Sequence, residues 1–326
     1  MLASHIAEAL RGSPHRIMVT GASGWLGSAT LDLLHDALGE QFHDRVVCFG
    51  SSARTLRLAD GDTIEQRSLN AMVGLPAEPS LLLHLAFLTK ERAEQMDETG
   101  YRAANRAIRQ AVLDALDPAG VEAVFLASSG AAAFADDPAT SAAMRLYGSL
   151  KREDETAFAD WAEGKGRSLI SARIFNISGA HINKLGSYAL ASFIIDALAG
   201  GPVRIKAPHD VLRSYVAVRE LMSLVFALLL AGDPGVLRFD SGGDPVELGA
   251  LAEGVAARFG GCAVERPQRA PGEDRYLGDG GRYRQLLEQH GIEAVSLACQ
   301  IEETADYLMR MQTGLSAGAM AAGVAS

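Results

Sequence analysis

The chain has 326 residues, enough for one large domain or a domain plus a smaller lobe, and its 48% hydrophobic content supplies a sizeable core. Its formal net charge of -10 argues against a nucleic-acid-binding surface. The three cysteines, Cys48, Cys262 and Cys299, are scattered and odd in number, which excludes a disulfide framework or zinc site and points to a reducing compartment, the cytoplasm.

Residues 1–15 carry Glu8 and no continuous apolar segment, so no signal peptide is expected. Residues 17–19 are a short apolar run, sufficient for one buried strand. Gly21, Gly24 and Gly27 follow, and residues 28–38 read as a helix. A strand that turns into a helix behind glycines is a phosphate cradle. Gly21 permits the tight turn, Gly24 lets backbone approach a pyrophosphate, and Gly27 lets the helix pack closely on the strand. The helix N-terminus offers N–H groups and a partial positive charge to the anion. The spacing carries one residue more than the commonest dinucleotide fingerprint, and a Gly-rich turn without ligand is the plain alternative.

Further strands are expected over residues 45–49, 63–67 (weaker), 81–85, 121–127 and 168–174. Helices are expected over residues 93–116 and from the segment of Tyr147 and Lys151 to about residue 163. This alternation defines an α/β fold, a Rossmann-type doubly wound parallel sheet covered on both faces. Ligands in such sheets bind beyond the carboxyl ends of the strands. Gly27, Ala86, Ser129 and Phe175 fall there.

From about residue 177 the rhythm loosens, with short strands at 203–205 and 236–239 and helices at 246–258 and 301–311. The apolar run 221–231 is interrupted by Ser223, too short to span a bilayer, and reads as a buried helix. The expected organisation is a dinucleotide-binding domain over 14–176, a smaller C-terminal substrate-binding lobe over 177–311 with segments returning to the sheet, and a disordered tail over 312–326.

Tyr147 and Lys151 lie four residues apart, on one face of a helix. An ammonium beside a phenol stabilises phenolate and lowers its pKa, making a usable acid or base near neutral pH. Ser129 supplies a hydroxyl that can hold a substrate oxygen. The plain alternative is a chance pair on a solvated face, but no other tyrosine here has a lysine four residues later. His84 ends a strand and reads as a core residue. His181 and His209 lack carboxylate or cysteine spacing, so no metal site is expected.

These motifs resemble the extended short-chain dehydrogenase/reductases, in particular the NAD-dependent epimerase/dehydratase family that acts largely on nucleotide sugars. Thr20 to Gly27 is similar to the family's glycine loop, His84-Leu85-Ala86 to the segment after its fourth strand, and Ser128-Ser129, Tyr147 and Lys151 to its catalytic set. Residues 173–181 resemble the strand and loop lining nicotinamide and sugar, and residues 213–216 the segment whose arginine holds the nucleotide diphosphate.

The resemblance implies that Tyr147 exchanges the proton, that Lys151 binds the nicotinamide ribose, and that Ser129, with Ser128 as runner-up, orients the substrate oxygen. It implies a cofactor site of Gly21, Ser23, Gly24, Trp25, Leu26, Gly27, Leu85, Ala86, Tyr147, Lys151 and Phe175. It implies a substrate site of Ser129, Asn176 and Arg213, and a homodimer. Asn105 falls at the family's asparagine on the helix after the fourth strand and reads equally as a surface amide.

Two departures matter. Dehydratases of the family carry an Asp-Glu pair after the catalytic Ser/Thr, whereas Gly130-Ala131-Ala132-Ala133 follows Ser129 here and offers no acid to eliminate water. Phe49 is followed by Gly50-Ser51-Ser52-Ala53-Arg54, without the acid that accepts the ribose hydroxyl of NAD. Ser51 and Arg54 can bind a 2′-phosphate instead, which favours NADP over NAD. The expected function is hydride transfer at a sugar carbon of a nucleotide sugar, leaning to a keto-reductase. A 4-epimerase with retained NAD is the alternative, and a non-catalytic dinucleotide-binding regulator the alternative of another class.

Overall fold

The computed structural model describes residues 1–323, with side chains as far as residue 312. The chain opens with α1 (Ser4–Gly12), β1 (Arg16–Thr20), α2 (Trp25–Leu38) and the short α3 (Phe42–Arg45). There follow β2 (Val46–Gly50), β3 (Arg54–Arg57), β4 (Thr63–Ser68), β5 (Ser80–His84), the short α4 (Lys90–Ala93), α5 (Glu98–Leu116), β6 (Val121–Ser129), α6 (Ala142–Lys165) and β7 (Ser168–Ile174). Next come β8 (Asn176–Ser178), α7 (Ala189–Leu198), β9 (Val203–Arg204), β10 (Asp210–Arg213), β11 (Tyr215–Ala217), α8 (Val218–Ala231) and β12 (Gly235–Asp240). The chain continues through β13 (Val246–Glu247), α9 (Leu248–Arg258), β14 (Val264–Glu265), β15 (Glu273–Tyr276), α10 (Gly280–Gln289) and α11 (Leu297–Gly323). Among the described residues no helix is long and apolar enough to cross a membrane.

These elements form two compact units. The first comprises Met1–Phe175, Arg219–Gly242 and Gly278–Glu293. Its sheet has eight strands in the order β12-β7-β6-β5-β1-β2-β4-β3. All neighbours pair in parallel except β3, which is antiparallel to β4. The order reverses at β1, so right-handed crossovers put helices on both faces. Strands buried on both faces must be apolar throughout. β1, β5 and almost all of β6 are buried, apolar at their centres with polar residues only toward their ends, and Phe49, Leu82, Val124, Phe158 and Leu169 share one core cluster.

The second unit comprises Asn176–Val218, Gly243–Leu277 and Ala294–Ser326, as far as these are described. It has three small sheets, β13-β10-β15, β11-β8 and β14-β9, with α7, α9 and α11 packed together. α11 is tied down by polar contacts: Ser178 Oγ donates to Gln300 Oε1 at 2.7 Å, Gln300 Nε2 donates to the Tyr215 carbonyl at 3.2 Å, and Gly179 N–H donates to Thr304 Oγ1 at 2.9 Å.

Several elements differ from expectation. α1 lies ahead of the first expected domain boundary and buries Ile6 and Leu10. β3 is an additional edge strand; its Arg54-Thr55-Leu56-Arg57 sequence is too polar to read as a strand, and charge suits a sheet edge. The helix expected over 93–116 begins at Glu98, because Asp97 caps it by accepting from Gly100 N–H at 2.8 Å. β12, expected as a short strand over 236–239, spans Gly235–Asp240 and pairs with β7 in the main sheet. α11 continues to Gly323 where a disordered tail from 312 was expected, since alanines extend a helix already begun; residues 324–326 of that expectation lie outside the described residues.

The end of the sheet opposite the glycine loop is held by Arg16, which is buried. Its Nε donates to Ser80 Oγ at 3.1 Å, its Nη2 to the carbonyls of Pro76 at 3.0 Å and Ala119 at 2.7 Å, and its Nη1 lies 3.3 Å from Glu78. Arg16→Ala leaves the Ala119 carbonyl without this donor. A loss of about 1–3 kcal/mol is expected in chemical denaturation, with dinucleotide affinity unchanged.

Candidate active site

The glycine loop joins β1 to α2 at the point where the strand order reverses. Gly21 has φ +69, which favours glycine, and a Cβ there would lie 2.7 Å from Ala86 N. The loop after β1 and the chain leaving β5 therefore touch backbone to backbone. Thr20 ties the same two segments, accepting at Oγ1 from Leu85 N–H at 3.2 Å and Ala86 N–H at 3.3 Å. Gly24 is the N-cap of α2 and no side chain caps that helix, so its amide end is available to an anion. Gly24 N–H donates to Gly21 O at 3.0 Å and Ser28 N–H to Gly24 O at 2.8 Å, which closes the turn. This cradle, built by the chain's own backbone, fits a dinucleotide pyrophosphate. At its rim, Arg54 Nη2 donates to Ser23 Oγ at 2.5 Å, bringing two expected cofactor residues together, and Ser51 is exposed.

Thr20 Oγ1 also lies 2.8 Å from His84 Nδ1. His84 is fully buried against Phe158, its ring 5.0 Å away, and Nε2 has no hydrogen-bond partner among the described residues. Burial, with Lys151 nearby, lowers its pKa to about 3. The ring is a neutral core residue, as its place at a strand end suggested.

α6 presents Tyr147, Lys151 and Glu155 at successive turns of one face. Lys151 is only 5% exposed. Its Nζ donates to the Ala127 carbonyl at 2.7 Å and sits 3.9 Å from the centre of the Phe87 ring, while Phe87 meets the Tyr147 ring edge-on at 5.4 Å. Phe87, which sequence reasoning missed, thus lies against both members of the pair. Burial lowers the Lys151 pKa to about 8, opposed by the charges of Asp154 and Glu155.

The chain around Phe87 is clamped from α5. Asn105 is buried, accepts at Oδ1 from Leu88 N–H at 2.8 Å, and donates to the Tyr101 carbonyl at 3.2 Å. Tyr101 donates its hydroxyl to the Leu88 carbonyl at 2.6 Å. Asn105 is therefore a positioning residue rather than a surface amide.

Adjacent residues of a strand face opposite sides, and this separates the two serines. Ser128 Oγ donates to Glu155 at 2.5 Å, and Glu155 receives two further bonds from Arg173 at 2.9 and 2.8 Å. Burial pushes the Glu155 carboxyl up, but the bonds from Arg173 and Ser128 outweigh it and hold the pKa below its usual value. Ser128 is committed to this network. Ser129 instead accepts from Ala131 N–H at 3.2 Å, which leaves its hydroxyl proton for another acceptor.

The alanines after Ser129 have a packing reason. A Cβ at Gly148 would overlap the Ala131 carbonyl, so α6 lies directly on residues 130–134. Ala131 and Ala132 are buried there and leave no room for an acid pair.

Phe175 ends the first unit and is buried, its N–H donating to Ser241 Oγ at 3.0 Å. Asn176 and Arg213 belong to the second unit. Asn176 Nδ2 donates to the Ser214 carbonyl at 3.1 Å, and Arg213 pairs with Asp274 at 2.7 Å. Both line a cavity of about 400 Å³ with Tyr188, Arg204, Lys206 and His209.

A strand–Gly-loop–helix cradle, with a Tyr-Lys pair on a helix after the sixth strand, defines a dinucleotide-dependent α/β enzyme class. The profile described as "NAD dependent epimerase/dehydratase family" matches residues 17–238. The chain belongs to that family. No curated protein sequence matches it. It is similar in fold to the UDP-N-acetylglucosamine 4-epimerase of Methanobrevibacter ruminantium M1, at 17% identity and TM-score 0.68, covering 91% of this chain and 99% of that one. It is similar to MoeE5, solved with UDP-glucose and NAD, at 22% identity and TM-score 0.68, covering 91% and 99%. It is also similar to DesIV, a dTDP-glucose 4,6-dehydratase from Streptomyces venezuelae solved with NAD and TYD, at 19% identity and TM-score 0.67, covering 91% and 97%.

The position of Lys151 sets a pH dependence. Its charge, expected from the sequence to act on Tyr147, is lost as pH rises past about 8. Since kcat/KM reports the free enzyme, it is expected to fall above that pH. Lys151→Arg keeps its charge there and moves the fall upward; an unmoved profile would assign it to another group.

Proposed function

We propose that the protein is an NADP-using oxidoreductase that transfers hydride at a sugar carbon of a nucleotide sugar, with reduction of a keto-sugar favoured. The observation that carries this reading is the Tyr147–Lys151 pair, held by Phe87 and the Ala127 carbonyl in the same unit as the glycine cradle. A bound nicotinamide supplies the hydride. Tyr147 gives its phenolic proton to the oxygen of the reduced carbonyl, so ketone, hydride and proton sum to the alcohol. Lys151 lowers the cost of the phenolate left behind and binds the nicotinamide ribose. Ser129 directs its free hydroxyl proton to the substrate oxygen. The packing of α6 on Ala131 and Ala132 supports hydride transfer without dehydration, since no acid follows Ser129.

For the substrate, the cavity lined by Asn176, Arg204, Lys206 and Arg213 supports binding of a diphosphate. For the cofactor, Arg54 beside Ser23, with no acid after β2, supports NADP. The second reading, a 4-epimerase that retains NAD, is favoured by the epimerases among its structural neighbours and by the NAD bound to MoeE5. Three free cysteines fit a reducing cytoplasm, and the family likeness fits a homodimer.

Stoichiometry separates the readings. With NADPH and a keto-sugar nucleotide, one NADPH is expected to be consumed per product formed; turnover of a sugar nucleotide without net cofactor consumption means epimerase. Tyr147→Phe is expected to lower turnover by about 10²–10⁴-fold with dinucleotide binding retained; a regulator would keep its function. Arg213→Ala is expected to weaken nucleotide-sugar binding and spare dinucleotide binding, and equal loss of both would indicate misfolding.

Arg54→Ala is expected to weaken NADP binding and leave NAD binding nearly unchanged. NAD binding as tight as NADP in the unaltered protein would overturn the cofactor assignment.

A further inference from the structure

Away from the glycine loop, the β3–β4 hairpin meets α2 and α3 through a cluster of imidazoles and carboxylates. His35 lies near the end of α2, His43 on α3, and Asp60 and Asp62 in the hairpin turn. Asp62 Oδ2 lies 3.1 Å from His35 Nε2 and 2.8 Å from His43 Nε2. One donor atom from each of the three residues lies within 4.8 Å of the other two. His35 Nδ1 lies 3.3 Å from Asp60 Oδ2.

The remaining carboxylate oxygens are already engaged. Asp62 Oδ1 accepts from Thr63 N–H at 2.7 Å, and Asp60 Oδ1 accepts from Asp62 N–H at 3.0 Å. The turn is held in place independently: Ala59 N–H donates to Asp32 on α2 at 3.0 Å, and Leu58 N–H donates to the Asp62 carbonyl at 2.8 Å. Asp62 Oδ2 is thus aimed at two imidazole nitrogens by bonds that do not involve them.

A neutral imidazole has one N–H and one lone pair. Both nitrogens of His35 face a carboxylate oxygen, so a neutral ring can satisfy only one of them. With the proton on Nδ1, bonded to Asp60, the Nε2 lone pair faces the Asp62 oxygen, a repulsive pairing unless a cation lies between them. His43 Nε2 approaches the same point. Two imidazoles and a carboxylate converging on one spot, with a further carboxylate orienting one ring from behind, is the donor arrangement of a transition-metal site. Ligands at about 2.0–2.1 Å around a tetrahedral zinc lie about 3.3 Å from one another. The two contacts to Asp62 Oδ2, at 3.1 and 2.8 Å, are hydrogen bonds somewhat shorter than that edge, so the partly exposed side chains spread by a few tenths of an ångström to admit the ion.

We propose that His35, His43 and Asp62 bind one divalent transition-metal ion, zinc by donor chemistry, with Asp60 orienting His35. The site fastens the hairpin turn to α2 and α3. It lies at the far end of the hairpin from Arg54, which opens β3. Its role is to stabilise the sheet edge that carries that arginine. No metal was expected from the cysteines or from His181 and His209; His35, His43 and Asp62 come from two helices and a turn and show none of the spacings that mark a zinc motif.

The test uses the tag-free, full-length protein, stripped of metal. Calorimetric titration with zinc chloride at neutral pH is expected to give one equivalent bound, and cobalt(II) is expected to give the visible absorption of a tetrahedral nitrogen–oxygen site. His43→Ala and Asp62→Asn, both at partly exposed positions that should fold, are expected to abolish binding. Asp60→Asn is expected to weaken it by about 10–100-fold. Absence of binding to the unaltered protein would overturn the proposal, as would equal binding to the His43→Ala and Asp62→Asn variants. Stabilisation that appears only on acidification and is indifferent to zinc would also overturn it, assigning the cluster to imidazolium–carboxylate pairs.

Discussion

A buried ammonium is the constraint around which the catalytic unit is arranged. Lys151 is nearly inaccessible, and removing a charge from water is costly unless the protein replaces the lost solvation. The replacement comes from several places. The Ala127 carbonyl accepts a hydrogen bond, the Phe87 ring lies beneath the charge, and Asp154 and Glu155 act on it from the same helix. Burial still wins in part, so the ammonium keeps its proton at neutral pH and loses it in mild alkali. Such a charge is useful next to a phenol because it is poorly screened.

Each of these supports depends on a further one. Phe87 is placed by the backbone of Leu88, which Asn105 and Tyr101 hold from α5. Glu155 is kept ionised by Arg173 on β7 and Ser128 on β6. That network occupies Ser128 and leaves Ser129 outside it. The helix that carries Tyr147 and Lys151 lies close enough to residues 130–134 only because Gly148 has no side chain. The catalytic spacing on α6 is local, but its effect requires α5, β6 and β7.

This difference explains what could be read in the sequence. The glycine loop, the four-residue spacing of Tyr147 and Lys151 and the apolar strands are local patterns, and they give the fold and the centre of the site directly. Phe87 and Glu155 carry no such mark: an aromatic after a strand and an acid on a helix acquire roles only when distant segments meet them. The same holds for Asn105, which reads equally as a surface amide until the chain after β5 is seen against it. Strand β12 could be read as a strand but not given its partner, since β7 is separated from it by Asn176–Val218 of the second unit and by α8. The edge strand β3 was missed because an exposed, charged edge lacks the apolar alternation that marks a strand, although the charge itself protects the edge.

The division into units follows the chemistry expected of each. The first contains the glycine cradle, Ser129, Tyr147 and Lys151, the residues proposed to handle cofactor and proton. The second contains Asn176 and Arg213 on a cavity rich in cations. The covalent boundary falls between Phe175 and Asn176, adjacent residues with different assignments. Phe175 is fixed by Ser241 beyond β12, and Asn176 by Ser214 beside β11. The later returns through Arg219–Gly242 and Gly278–Glu293 supply the last strand of the sheet, β12, and α10, which packs against it. Under the proposed function, substrate choice would vary within the second unit's own segments, while the residues proposed to move hydride and proton remain within the first.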